Sequence, residues 1–511
     1  MRPTTTAKSE IVSMKRRDFL NSSLLAAAVS VPGIQAAYAV VGTAEVADLA
    51  AVTGDGREIT LRGADIRDLA AKMRGQLLIA GDDGYDKARL VLNPSFDKHP
   101  ALIAQPTGAA DVQAAVSFAR ANNLLVAVKC GGHSASGQST CDKGMMIDLS
   151  RFRGVRVDPK GRRAWVDGGT LLGEVDHETM AHGLVAPLGT VSHTGVGGLT
   201  TGGGFGRLAR RFGMSIDNLE SVDVVTADGQ LRHADASENQ DLFWGVRGGG
   251  GNFGIVTNFE FRLQPMQREV IAGSLNFPIA RARDVLGMYS EYVATAPDEL
   301  YLDPALILPA RSAPGVISLD ICYSGPPEKA EAALAPIRKL GKPDRDTVKS
   351  QAYVDAQRSG DTGEARVIGS YLKGGFVSKI TGQLVSSIVD GIQGDPNRTT
   401  VLFFQHCGGA ASRQAEHATA FAQRDSVANM MAVAAWRQGT VDPAEHIQAS
   451  RKYWSTLEPF TRGFYTNDLP REVTSKDINA NYRGNYPRLA ALKKKYDPTN
   501  LFRLNANIQS A

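Results

Sequence analysis

The stretch from Gly189 to Gly206, GTVSHTGVGGLTTGGGFG, constrains this chain more than any other. Eight of its eighteen residues are glycine, five are Ser or Thr, and none is Asp, Glu, Lys or Arg. A solvated loop does not need that composition, and a core strand would be weakened by it. Backbone packed against a bulky ligand, with hydroxyls and N–H groups as donors, does need it. A related turn lies upstream. An apolar run, Leu124 to Val128, reads as a buried strand and breaks at Gly131-Gly132 into His133, Ser134 and Ser136. Successive N–H groups beside paired glycines can cradle a phosphate. An imidazole next to that cradle suggests a large phosphate-bearing cofactor, possible even as a covalent attachment. A third segment, Arg247 to Leu263, holds a formal G-x-G-x-x-G at Gly249, Gly251 and Gly254. A dinucleotide fingerprint follows a strand and opens a helix. Here the helix-like DLFWGVR precedes and the alternating strand IVTNFEFRL follows, so a nicotinamide site is set aside.

A chain of 511 residues can bury a large core and suggests two or three structural units. Net charge is +4, from 57 basic and 53 acidic residues, which makes no case for nucleic acid or membrane binding. The run Lys493-Lys494-Lys495, in the helix-like ALKKKY, reads as a solvated face. Cys130, Cys141, Cys322 and Cys407 match no zinc or redox spacing, and no metal site is expected. A disulfide from Cys130 to Cys141 is conceivable in an oxidising compartment, with buried thiols the plainer reading.

The N-terminus is separate. Lys15-Arg16-Arg17-Asp18-Phe19-Leu20 opens an apolar stretch to Val31, followed by Pro32-Gly33 and the small-residue site Ala37-Tyr38-Ala39. A charged start, a short apolar run and A-x-A mark a bacterial export signal over residues 1–39. The run is too short to span a bilayer. Twin arginines before Phe-Leu point to the twin-arginine route and an exported, periplasmic or secreted protein.

Residues 97–265 alternate helix-like and strand-like pieces, including a helix over Asp111 to Asn122 and strands over Arg163 to Asp167 and Leu219 to Thr226. The fold class expected is α+β, with 40–96 as a lead-in segment. From 266 to 463, VISLDICYS, EKAEAALAPIRKL and TVLFFQHCGGA suggest an antiparallel sheet backed by helices, forming a substrate domain.

The three glycine blocks, in this order, resemble the FAD-linked oxidases of the berberine bridge enzyme type, within the vanillyl-alcohol oxidase superfamily. The matching pieces include PALIAQPTGAADVQAAVSFAR, VAVKCGGHSASG, TGVGGLTTGGGFGRLARRFGMSIDNLESVDVVTADG and ENQDLFWGVRGGGGNFGIVTNFEFRL. The closing NYRGNYPRLAALKKKYDPTNLFRLNANI resembles that family's final segment. The likeness is dense from Asn93 to Pro265 and from Phe464 to Ile508, and thin between them. It implies a two-part PCMH-type FAD-binding domain over 97–265, with 464–511 returning to it. It also implies that His133 carries the flavin. Some members add a second link from a Cys at the place of Val191, so a single covalent bond is expected here. The same resemblance gives flavin contacts to Cys130, Gly131, Gly132, Ser134, Gly137 and Gln138. Further contacts fall on Gly189, Thr190, Ser192, Thr194, Gly195, Gly198, Gly202, Gly204 and Phe205, on Gly254, Ile255 and Val256, and on Asn505 and Asn507.

A flavin accepts hydride, while the protein supplies orientation and a base. The segment Gly463-Phe-Tyr-Thr-Asn467 resembles the family's Y-x-N strand. Tyr465 is therefore the first candidate for base, with Asn467 orienting it and Tyr482 second. Family members with a catalytic Tyr near Tyr482 often place it one residue earlier, where this chain has Asn481. His406, on a strand expected to face the substrate, could assist or be structural, and His193 could touch the flavin edge or pack. The reaction expected is oxidation of a small organic substrate, an alcohol, sugar or secondary metabolite, with dioxygen as acceptor. A dehydrogenase using another acceptor and a non-catalytic flavin carrier stay open, as do substrate identity and oligomeric state.

Overall fold

The computed structural model describes residues 46–310, 313–361, 367–439 and 442–510. The expected export signal lies outside the described residues.

Three larger sheets organise the described residues, beside two two-stranded ones. The first runs Gln76–Leu78, Leu102–Gln105, Met145–Asp148, Val126–Lys129 in spatial order. Its first pair is antiparallel and the others are parallel. The crossover helix Ala109–Ala121 packs Val112, Ala115, Val116 and Ala119 onto it. Helix Gly63–Lys72 adds Ile66 and Leu69 to the same core. The segment expected as a lead-in thus supplies an edge strand and a helix to this layer.

The second sheet is antiparallel, ordered Leu231–Asp235, Leu219–Thr226, Gly254–Arg262, Arg163–Asp167, Val155–Asp158. Alternation along FEF drives Phe259 and Phe261 into its core. The formal glycine fingerprint ends in this strand, as the sequence pattern implies. The third sheet has eight antiparallel strands, with Leu300–Leu308, Thr399–His406, Ala428–Arg437 and Ile368–Val377 side by side at one end. Helices Ala282–Tyr292, Gly382–Gly391 and Pro443–Leu457 cover one face, burying Leu286, Tyr289, Ile388 and Trp454 against Leu402 and Phe404.

The last segment returns to the first two sheets. Helix Tyr486–Tyr496 buries Leu489 and Leu492 in the second core, and Leu501 and Phe502 enter the first. Here the structure corrects the expectation of a solvated lysine run. Lys493 is fully buried, paired with Asp497 at 2.6 Å, and donates to the carbonyls of Asn252 and Phe502, both at 2.9 Å. Asp497 in turn accepts from the N–H groups of Leu501 and Phe502. Only Lys494 and Lys495 of the run face solvent. The i,i+4 spacing of Lys493 and Asp497 was visible in the sequence, but charge alone does not say which face of a helix is covered.

Candidate active site

A cavity of about 370 Å³ is walled by residues from all three sheets and from the closing segment. The turn after Val126–Lys129 contributes Cys130, Gly131, Gly132, His133, Ser134 and Gln138. The long glycine segment contributes Gly189, Thr190, Thr194, Gly195, Gly198 and Phe205. Gly254, Ile255, Val256 and Asn505, also expected from the sequence, line the cavity too, as do Tyr465 and Asn467. The two glycine turns meet at the floor. A Cβ built on Gly131 would come within 2.3 Å of the Gly195 nitrogen, so neither turn tolerates a side chain there. At Gly198 and Gly251 the opposite holds, since a Cβ would meet nothing within 4 Å and would project into free space.

His133 pairs with His193. His133 Nε2 lies 2.7 Å from His193 Nδ1, with the ring centroids 4.7 Å apart. His133 Nδ1 is 3.4 Å from Thr194 Oγ1, a long contact. Burial, reinforced by the neighbouring His193, pulls the His133 pKa down to about 4, so the imidazole is neutral at physiological pH. A neutral imidazole keeps one unprotonated nitrogen, which is nucleophilic. Cys130 stands on the same wall, but burial pushes its thiol up to about 11, which leaves it protonated. All four cysteines are free.

At the other end, the Tyr465 hydroxyl accepts from the N–H groups of Gly204 at 2.9 Å and Phe205 at 3.3 Å, and from Asn467 Nδ2 at 2.7 Å. Gly204 can aim its N–H this way because it sits at φ +85, a conformation open to glycine. Asn467 also donates to the Leu199 carbonyl at 2.9 Å.

Several expected residues stand back from the cavity. Gly202 packs behind Asn467, and Gly137 packs against the Phe96 ring. Ser192 is turned to the Asp361 carboxylate. Gly204 reaches the site through Tyr465, and Asn507 holds a buried Oδ1 without a partner. Tyr482 is separated from the cavity altogether: it is 1% exposed, within the core of the second sheet, and its hydroxyl has no partner. His406 is likewise buried, near the Val293 carbonyl, because strand alternation turns its neighbour Gln405 to the cavity instead. The sequence reading missed Asp468, which lines the cavity one residue beyond Asn467, and also Ser139, Gly250, Gly251 and Leu504. The run of four glycines from Gly248 was a signal for two of these.

The residues present fit a flavin dinucleotide. Ser139 Oγ and Asn505 Oδ1 are buried on the cavity wall without protein partners, and the open positions at Gly198 and Gly251 leave room that a side chain would fill.

Comparison with known proteins agrees. The model of the FAD binding domain family matches residues 100–235, and the berberine and berberine-like model matches residues 475–509. An FAD-linked oxidoreductase of Dictyostelium discoideum is 30% identical over 417 residues, covering 80% of this chain and 89% of that protein. The (R)-6-hydroxynicotine oxidase of Paenarthrobacter nicotinovorans is 27% identical over 457 residues, covering 85% and 97%. Among solved structures, 6-hydroxy-D-nicotine oxidase from Arthrobacter nicotinovorans superposes with a TM-score of 0.79 at 26% identity, covering 86% of this chain and 98% of that one. With its three-sheet architecture, its glycine-floored cavity and these relatives, the chain belongs to the berberine bridge enzyme-like family of FAD-linked oxidoreductases.

Proposed function

We propose that this enzyme oxidises a small organic alcohol, sugar or secondary metabolite at carbon, on an FAD held by a single covalent bond to His133, and that dioxygen reoxidises the flavin to give hydrogen peroxide. The observation that carries the reading is the neutral His133 imidazole on the cavity wall, with Nε2 engaged by His193 and Nδ1 in only a long contact with Thr194 Oγ1. FAD supplies the hydride acceptor when bound. Ser139 and Asn505 offer it hydrogen-bonding atoms, and the glycine floor lets it approach the backbone. Val191 stands on the wall where a second link would need a thiol, and the Cys130 thiol is held protonated, which supports one link rather than two. Oxidase activity is supported by relatives named as oxidases of 6-hydroxynicotine. Export by the twin-arginine route, with cleavage near Ala39, is proposed from Arg16-Arg17 and the apolar stretch that follows.

The test is anaerobic mixing of holoenzyme with coniferyl alcohol, xylobiose and (R)-6-hydroxynicotine. At least one should bleach the flavin, and admitted air should restore the colour with stoichiometric peroxide. Bleaching without recovery in air would make the enzyme a dehydrogenase for another acceptor. No bleaching by any probe would contradict the substrate class.

A further inference from the structure

Removing a hydride from an alcohol carbon leaves the hydroxyl proton to be taken up, and the Tyr465 hydroxyl is poorly placed to take it. Three N–H groups already converge on that oxygen. Those donors favour the phenolate, but burial outweighs them and raises its pKa above the ordinary phenol value, so it keeps its own proton.

The next cavity-lining acid is one short turn away. Residues Thr466–Asp468 form a single helical turn, closed by the Asp468 N–H donating to the Tyr465 carbonyl at 2.9 Å. That turn sets the Asp468 carboxylate on the same cavity wall as Tyr465, Asn467 and Gln405. Asn429, on the adjacent strand, donates one amide group both to Asp468 Oδ2 at 3.2 Å and to Gln405 Oε1 at 3.0 Å. The carboxylate is thereby held in position by a neutral donor. Among the described residues no Lys or Arg forms an ion pair with it. On the elements packed around the turn, Lys373 and Tyr371 are both engaged by Glu472, at 3.2 and 2.7 Å, and Tyr465 immediately precedes the turn.

We propose that Asp468 is the catalytic base, with Tyr465 and Gln405 positioning the substrate hydroxyl against it. In the step, the substrate O–H bond breaks and its proton passes to an Asp468 carboxylate oxygen. The C–H bond breaks with its electron pair, which leaves as hydride to FAD, and a carbonyl forms. The substrate loses two electrons, for which bound FAD would be the acceptor and dioxygen, on the proposed oxidase reading, the final oxidant. Burial without an opposing cation pushes the Asp468 carboxyl up to about 7, where a base is half ionised under working conditions. The inference rests on the reading of the cavity as a dehydrogenating flavin site.

Two measurements on holoenzyme test it separately from that reading. With coniferyl alcohol or xylobiose, whichever reduces the wild-type flavin, Asp468→Asn should slow anaerobic reduction by about 10²–10⁴-fold and abolish the fall in rate below pH 7. Tyr465→Phe should slow it by less than about tenfold and keep that fall. An Asp468→Asn enzyme within tenfold of wild type, or one that keeps the acid limb, overturns the proposal. Without substrate, the absorbance of bound flavin should shift with pH around a midpoint near 7 in wild type and stay flat in Asp468→Asn. A flat wild-type titration also overturns it, even if the variant does not fold. Failure of every probe to reduce wild-type flavin would sink the dehydrogenation reading instead.

Discussion

The two ends of the cavity are built by different means. The flavin end, from Cys130 to Gln138 and Gly189 to Phe205, is mostly backbone: its shape depends on missing side chains at Gly131, Gly195, Gly198 and Gly251. The substrate end is side chains delivered by strand register. Gln405 and Asn429 are directly opposed on neighbouring strands, and the turn through Asp468 joins them through one amide. Absence of side chains is written in a sequence as glycine and survives reading one residue at a time. A constellation assembled by register is not, because nothing in Gln405 alone announces Asn429 or Asp468. The comparison implies that the flavin end can be damaged by adding atoms and the substrate end by removing them.

The largest effects should fall on stability. Phe404→Ala removes a ring buried between the third sheet and its helices, 5.7 Å from the Tyr289 ring centroid. A loss of about 3–5 kcal/mol is expected by denaturant unfolding. Flavin loading of the folded fraction should not change; if it does, the two ends are not separable. Lys493→Met strands the buried Asp497 carboxylate and loosens the segment that carries Asn505, again at about 3–5 kcal/mol. Unlike Phe404→Ala, it should also weaken FAD retention, because the clamp spans the second core and the cavity wall.

Smaller effects should fall on the flavin alone. Gly198→Val projects a side chain into free space on the cavity wall, so the apoprotein should melt like wild type. Overpacking against bound flavin costs about 1–3 kcal/mol, roughly a ten- to hundredfold loss of flavin affinity, read as the visible-to-ultraviolet absorbance ratio. An apoprotein that itself melts early would mean that Gly198 is structural. His193→Ala should slow covalent attachment about tenfold, a 1.4 kcal/mol effect, while reversible FAD binding persists. The smallest effect concerns acid stability. In apoprotein, before any flavin bond, the unfolded His133 takes up a proton near pH 6.5 and the folded one near 4, so the buried neutral ring lowers stability as pH falls through that window. His133→Asn should therefore flatten the acid limb of the melting profile; an unchanged limb would place the titration elsewhere.

The division explains what the sequence made legible. The strand over Arg163–Asp167 and the helix around Ala109–Ala121 were legible because each buries a regular face, and Leu219–Thr226 because it is a mostly buried apolar run. His133 and most of the glycine wall emerged from composition and family likeness. Tyr482 was misassigned because an aromatic near a motif cannot be told from one inside the core without its packing, and its hydroxyl proves to lie in the second core. Lys493 was misread for the same reason: a basic run predicts a wet face, whereas the Asp497 partner and two carbonyls make one lysine a buried clamp. Asp468 was overlooked although it follows Asn467 directly. Only the helical turn after Tyr465 brings its carboxylate round to the cavity.

The central claim is that His133 alone carries the flavin. Fully loaded enzyme, precipitated in acid, digested and mapped by mass spectrometry, tests it most directly. The account predicts a yellow pellet and one flavin-bearing peptide whose modified residue is His133. A colourless pellet, or a flavin on any other residue, would contradict it.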